Sequence, residues 1–193
     1  MIVLHGLGDS MDGYRWLPNA FRLPSLNYLL VNGPDEYYGG HSWYDFAHDS
    51  GPGILRSRGA LIELLDHQRA AGFPTEQTMM FGFSQGSLMT LDAGLRYPHR
   101  FAGLIGISGY VHEPERLIAE LPPVALRQRL LVTHGTDDPI IPFAPVREQI
   151  NQLKAEGLHI EWHEFVKEHT IAGEDELEVI RAFTVASFPA PGA

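Results

Sequence analysis

The segment Gly82-Phe83-Ser84-Gln85-Gly86 is the most chemically loaded stretch of the chain. An apolar run, Thr78–Phe81, leads into Gly-x-Ser-x-Gly, and a helical pattern leaves it through Tyr97. A serine on so sharp a strand-to-helix bend is held in a strained backbone conformation with its hydroxyl pushed into the open. Small residues at 82 and 86 keep the strand and helix from colliding, and the helix start favours developing negative charge. The chemistry expected of Ser84 is nucleophilic attack on an acyl carbon. Ser108, in Ile107-Ser108-Gly109-Tyr110, is the nearest rival. It lacks the leading glycine and a comparable following helix, and it reads as a turn at a strand end.

A serine hydroxyl needs a base, and the base needs an orienting acid. Where a serine on this kind of bend is catalytic, the chain order is serine, acid, histidine. The next acidic cluster is Thr133-His134-Gly135-Thr136-Asp137-Asp138-Pro139, directly after the apolar run Leu130–Thr133. Asp137 and Asp138 compete for the role; Pro139 biases Asp138 toward an extended, better-defined backbone. Among ten histidines, His169 is the one after the acidic cluster that falls at a loop tip. His159 and His163 share a strand face with Glu161, but no further ligand set accompanies them, so no metal is expected. Donors for an oxyanion are expected from the glycine-rich turn His5-Gly6-Leu7-Gly8-Asp9 and from the amide of Gln85. The same turn lacks the lysine of a P-loop and the third glycine of a dinucleotide site, which argues against a phosphate cradle.

These residues need a scaffold. Strands are expected at Ile2–Leu4, Tyr28–Val31, Thr78–Phe81, Gly103–Ile107, Leu130–Thr133 and His159–Phe165. The first five are continuous apolar runs, as in parallel strands buried on both faces; the sixth alternates like an edge strand. Between them, Leu55–Ala71 carries an apolar face, Pro145 opens a helix closed by Gly157, and a last helix follows Gly173 with Glu174, Asp175 and Glu176 in its first turn. Strands alternating with such helices imply an α/β fold: a mostly parallel central sheet with helices on both faces. The 193 residues fit a single domain, 1–193.

Composition narrows the function classes. No cysteine is present, which removes a disulfide framework and a thiolate nucleophile. A formal charge of -10 with only 14 scattered Lys and Arg argues against a nucleic-acid partner. No apolar run reaches the ~20 residues of a membrane span, and Met1–His5 does not read as a secretory signal, so the expected compartment is the cytoplasm.

Taken together, Leu4-His5-Gly6-Leu7-Gly8-Asp9, Gly82–Gly86, His134-Gly135-Thr136-Asp137-Asp138-Pro139-Ile140-Ile141-Pro142 and His169-Thr170-Ile171 resemble the carboxylesterase, acyl-protein thioesterase and phospholipase family of α/β-hydrolases. Ser42-Trp43-Tyr44-Asp45 also resembles a family segment near the pocket. The resemblance implies Ser84 as nucleophile, Asp138 as acid and His169 as base, with the amides of Leu7 and Gln85 as the oxyanion hole. It implies a minimal lid and hydrolysis of carboxylic esters or thioesters with no metal or cofactor. Trp43, Tyr44, Phe46, Ile140 and Phe143 are expected as pocket walls, favouring a small-molecule substrate with an apolar acyl group. Monomer and homodimer are both open. Three departures from the family stand out. Related chains carry antiparallel strands before the strand ending in His-Gly-Leu-Gly, whereas here that strand begins at Met1, so a sheet without them is expected. Lys167-Glu168 replaces a small residue before the histidine, with the expectation of a charge crowding the base. Ser87 replaces a glycine.

Overall fold

The computed structural model describes residues 1–188. Its strands are β1 (Ile2–Leu4), β2 (Leu29–Val31), β3 (Asp35–Tyr37), β4 (Gly40–Ser42), β5 (Met79–Phe83), β6 (Gly103–Ile107), β7 (Arg129–Gly135) and β8 (His159–Phe165). Its helices are α1 (Leu17–Phe21), α2 (Gly51–Ala70), α3 (Gln85–Arg96), α4 (Pro114–Ala119), α5 (Phe143–Ala155) and α6 (Gly173–Ser187). Six strands form one sheet in the order β2-β1-β5-β6-β7-β8, every neighbouring pair parallel. β3 and β4 make a separate antiparallel hairpin.

The strands are apolar on both faces because each face has its own core. Successive residues of a strand point to opposite sides. Leu4, Met80, Leu104 and Leu130 therefore pack with residues of α2, α3 and α5, including Leu61, Leu91 and Ile150. Val3, Phe81, Ile105 and Leu131 pack on the other side against Phe21 of α1 and Ile180 and Phe183 of α6. α3 is buried along nearly its whole length, so its residues read as apolar and small rather than amphipathic.

Several expectations are corrected. β2 is not buried on both faces: it is an edge strand, and Leu29 is exposed. β5 and β7 run on to Phe83 and Gly135, because glycines that break the apolar pattern still pair in the sheet, as Gly82 does with Gly106. α2 starts at Gly51 rather than Leu55, since Pro52 suits a first turn that has no need of its N–H. α5 starts at Phe143 rather than Pro145, which the first turn accommodates for the same reason. β8 lies at the other edge, as its alternation indicates, with Ile160 buried and Glu161 exposed.

Parallel strands bring all their C-terminal ends to one side. The loops after β1, β5, β7 and β8 therefore meet, and these are the loops that carry Leu7, Ser84, Asp138 and His169.

Candidate active site

Ser84 sits between β5 and α3 with φ 55° and ψ -116°, a conformation strained for any L-residue. The chain holds it there. The Ser84 amide donates to the Ile107 carbonyl of β6 at 2.9 Å. A Cβ on Gly82 would collide with the Gly86 carbonyl oxygen, and one on Gly86 with the Leu4 carbonyl oxygen, so both glycines are steric requirements. Ser108 also has positive φ, 48°, but its hydroxyl is fully buried and has no hydrogen-bond partner among the described residues.

The Ser84 Oγ lies 2.9 Å from His169 Nε2, and His169 Nδ1 lies 2.8 Å from Asp138 Oδ2. The other carboxylate oxygen, Oδ1, accepts the amides of Ile140 and Ile141, each at 2.9 Å. Burial alone would raise the Asp138 carboxyl, but the Ile141 amide, the His169 ring and the Ile140 amide outweigh it and hold it below the ordinary carboxylate range. An ionised carboxylate only accepts, so the ring proton is on Nδ1 and the Nε2 lone pair faces the serine hydroxyl. Asp137 is exposed; its amide donates to the Lys167 carbonyl at 3.2 Å and its carboxylate accepts from Thr136.

The loop bearing His169 is tied to the molecule by a buried ion pair. Lys167 Nζ donates to both oxygens of Glu176 on α6, at 2.6 and 2.8 Å, with the side chains 3% and 0% exposed. Glu176 also accepts from Thr133 of β7 and from the Ala172 amide. Burial pushes the Lys167 ammonium below its ordinary range, and the Glu176 charge pulls it back in part. The expected crowding of the base by Lys167-Glu168 is therefore not what the structure shows. Lys167 turns inward to Glu176, and Glu168 is exposed to solvent outside the pocket lining.

Leu7 and Gln85 line the same cavity as Ser84, and their amides have no hydrogen-bond partner among the described residues. Their loop is braced from two sides. His5 Nδ1 lies 2.6 Å from the Gly6 carbonyl and its Nε2 accepts the Gly33 amide at 2.9 Å, so this ring is neutral; burial lowers its pKa in the same sense. The β3–β4 hairpin supplies the second brace. The Gly8 amide donates to His41 O at 2.9 Å, and the His41 amide donates to Asp9 O at 2.8 Å. Gly8, at φ 77°, and Gly40, where a Cβ would strike Gly8 O, permit this close approach.

A cavity of about 310 Å³ opens beside Ser84 and His169. Tyr44, Phe46 and Ile140 line it as expected from sequence, joined by Leu7, Tyr110 and Ile141. Trp43 and Phe143 do not. Trp43 is buried behind the wall, its Nε1 donating to His5 O at 3.0 Å. Phe143 packs beside His134 and Trp162, because α5 begins two residues earlier than its proline implies. A larger open groove of about 510 Å³ lies at the opposite ends of β7 and β8, lined by residues such as Arg129, Lys154 and Phe183, and contains no serine. Among the described residues no group of three His, Cys, Asp or Glu stands close enough to hold a metal ion; His163 pairs with Glu161 at 2.9 Å.

Comparison with known proteins gives the family. Residues 1–187 match the model of the family described as Phospholipase/Carboxylesterase. The chain belongs to the phospholipase/carboxylesterase family of α/β-hydrolases. It is 37% identical to acyl-protein thioesterase 1 of Schizosaccharomyces pombe over 171 residues, covering 80% of this chain and 76% of that one. Among solved structures it resembles Arabidopsis thaliana SOBER1, with a TM-score of 0.86, 26% identity and coverage of 96% and 97%. It also resembles the esterase PE8, with a TM-score of 0.86, 28% identity and coverage of 97% and 91%.

In this phospholipase/carboxylesterase chain, sequence reasoning missed three contributors. The Gln85 side chain accepts the Trp43 amide at 2.9 Å and donates to Tyr44 O at 2.8 Å, locking the Ser42–Asp45 segment to the nucleophile turn. Its position directly after the serine was the available signal. Tyr110 follows β6 at the strand-end side where sites of parallel sheets lie. Glu176 gave no distinct signal, since acids in a first helical turn ordinarily serve the helix dipole.

Proposed function

We propose that the chain is a serine hydrolase that cleaves carboxylic esters through an acyl-enzyme on Ser84. The observation that carries this reading is the unbroken run of contacts from Ser84 Oγ through His169 to Asp138, at 2.9 and 2.8 Å. Ser84 attacks the ester carbonyl as His169 takes its proton, and the oxyanion forms against the amides of Leu7 and Gln85. Asp138 holds the tautomer and stabilises the imidazolium. His169 then protonates the departing alcohol, and water repeats the sequence on the acyl-enzyme. No step calls for a metal or cofactor. A non-catalytic binding role fits poorly, because a binding module has no need for a strained serine aligned on a histidine.

A second reading, thioester hydrolysis, uses the same groups with a thiol as leaving group. It is favoured by the 37% identity to an acyl-protein thioesterase. Purified protein assayed on nitrophenyl esters, acyl-thioesters and lysophospholipid ranks these activities. Ester turnover that vanishes in Ser84→Ala is expected; turnover that survives in Ser84→Ala rejects the proposal.

A further inference from the structure

Two tyrosines that acyl transfer does not use line the cavity beside Ser84. Tyr44 Oη and Tyr110 Oη lie 3.2 Å apart, and both residues line the cavity. Tyr44 is 0% exposed, whereas Tyr110 is half-buried. Among the described residues neither hydroxyl has another hydrogen-bond partner. Two hydroxyls bring two hydrogens, and one contact uses only one. Burial decides which hydrogen is left over. If Tyr110 donated, the hydrogen of the wholly buried Tyr44 would be stranded without an acceptor, the costly arrangement. Tyr44 therefore donates, Tyr110 accepts, and the hydrogen of Tyr110, a residue of the cavity lining, has no acceptor among the described residues. Burial raises both phenols above their ordinary range, Tyr44 the further, so both stay protonated.

Besides these tyrosines, Ser84 and His169, the turn residues Gly6 and Gln85 and the acid Asp9, the lining is apolar: Leu7, Phe46, Phe83, Ile140 and Ile141. The cavity, about 310 Å³, is at the small end of the ~300–1,000 Å³ typical of ligand pockets. It has to take the acyl group and the start of the leaving group together. We infer that Tyr110 determines specificity, and that the preferred acyl group is short and carries an oxygen acceptor beyond the scissile carbonyl: an oxo- or hydroxyacyl group rather than a plain alkyl chain. An alkyl chain displaces water from Tyr110 and leaves its hydrogen unpaired; an oxygen on the chain replaces that water. Sites with a buried donor reject the analogue that lacks the partner more strongly than apolar pockets reject an extra methylene. This inference rests on the ester-hydrolase reading of the same site.

The test compares nitrophenyl levulinate with nitrophenyl isocaproate, esters of matched size in which an oxo oxygen replaces a methyl group. Each kcat/KM is divided by the alkaline hydrolysis rate of that ester to remove intrinsic reactivity. Wild type is expected to favour the levulinyl ester by about tenfold or more, and Tyr110→Phe to bring the ratio close to one. A wild-type ratio near one, or a preference that survives Tyr110→Phe, overturns the inference while leaving the hydrolase reading intact. Failure of a fluorophosphonate to label folded wild type at Ser84 removes both.

Discussion

At the scale of single residues, the site depends on hydrogen-bond capacity. Asp138 has four acceptor contacts to fill and fills three, two with backbone amides and one with His169, which fixes both its charge and its direction. Asp138→Asn offers the ring an amide that can present a donor where an acceptor is needed, and kcat is expected to fall on the order of 10⁴-fold. Asp137→Asn, at an exposed side chain, is expected to stay within a few-fold of wild type. Steady-state kinetics on one nitrophenyl ester check both, and the reverse ranking would reassign the acid. Most of this was legible in the chain: the glycines around Ser84 are informative because only their absence of Cβ lets strand, turn and helix meet. The choice between adjacent aspartates rested on Pro139, and the contacts agree with it. Trp43 and Phe143 were misplaced because an aromatic beside a site motif packs as readily behind a wall as on it.

At the scale of elements, two supports hold the reactive loops. The β3–β4 hairpin braces the loop after β1, proposed to hold the oxyanion, through Gly8, Asp9 and His41, with Gly40 in close contact. Gly40→Ala is expected to push the Gly8 backbone and lower kcat about 10²–10³-fold, the scale of losing one oxyanion donor, with the fold retained by circular dichroism. The hairpin escaped sequence reading for a physical reason. Its turn, Tyr38-Gly39, has positive φ at both residues, but tyrosine is not a residue that announces such a turn. The second support is Lys167–Glu176. Glu176→Gln leaves a buried ammonium without its counter-charge and is expected to destabilise by about 3–5 kcal/mol, measured by denaturant unfolding. A loss under 1 kcal/mol would mean that the pair does not brace the His169 loop.

At the scale of the whole molecule, a sheet with a core on each face brings four loops from distant parts of the chain to one end. That architecture was readable because strands buried on both sides cannot hide their apolar character. The edge position of β2 was not, since three apolar residues look alike at an edge or a centre. Among the described residues no helix is long and apolar enough to cross a membrane. Global stability should also report on the site. Asp138 is held below the ordinary carboxyl value of about 3.9, so its contribution is present above that pH and is lost as pH falls through the lower folded value, where the unfolded chain has already taken up its proton. Asp138→Asn is accordingly expected to lose less stability than wild type between neutral pH and pH of about 3, by denaturant unfolding at each pH. Equal losses would contradict the lowered carboxyl.

The proposed mechanism requires one reactive hydroxyl, and covalent capture reads it most directly. Folded protein treated with a fluorophosphonate and mapped by peptide mass spectrometry should carry the adduct on Ser84, with labelling abolished in Ser84→Ala and greatly slowed in His169→Ala. An adduct on another serine, an unlabelled wild type, or labelling that is indifferent to His169 would contradict it.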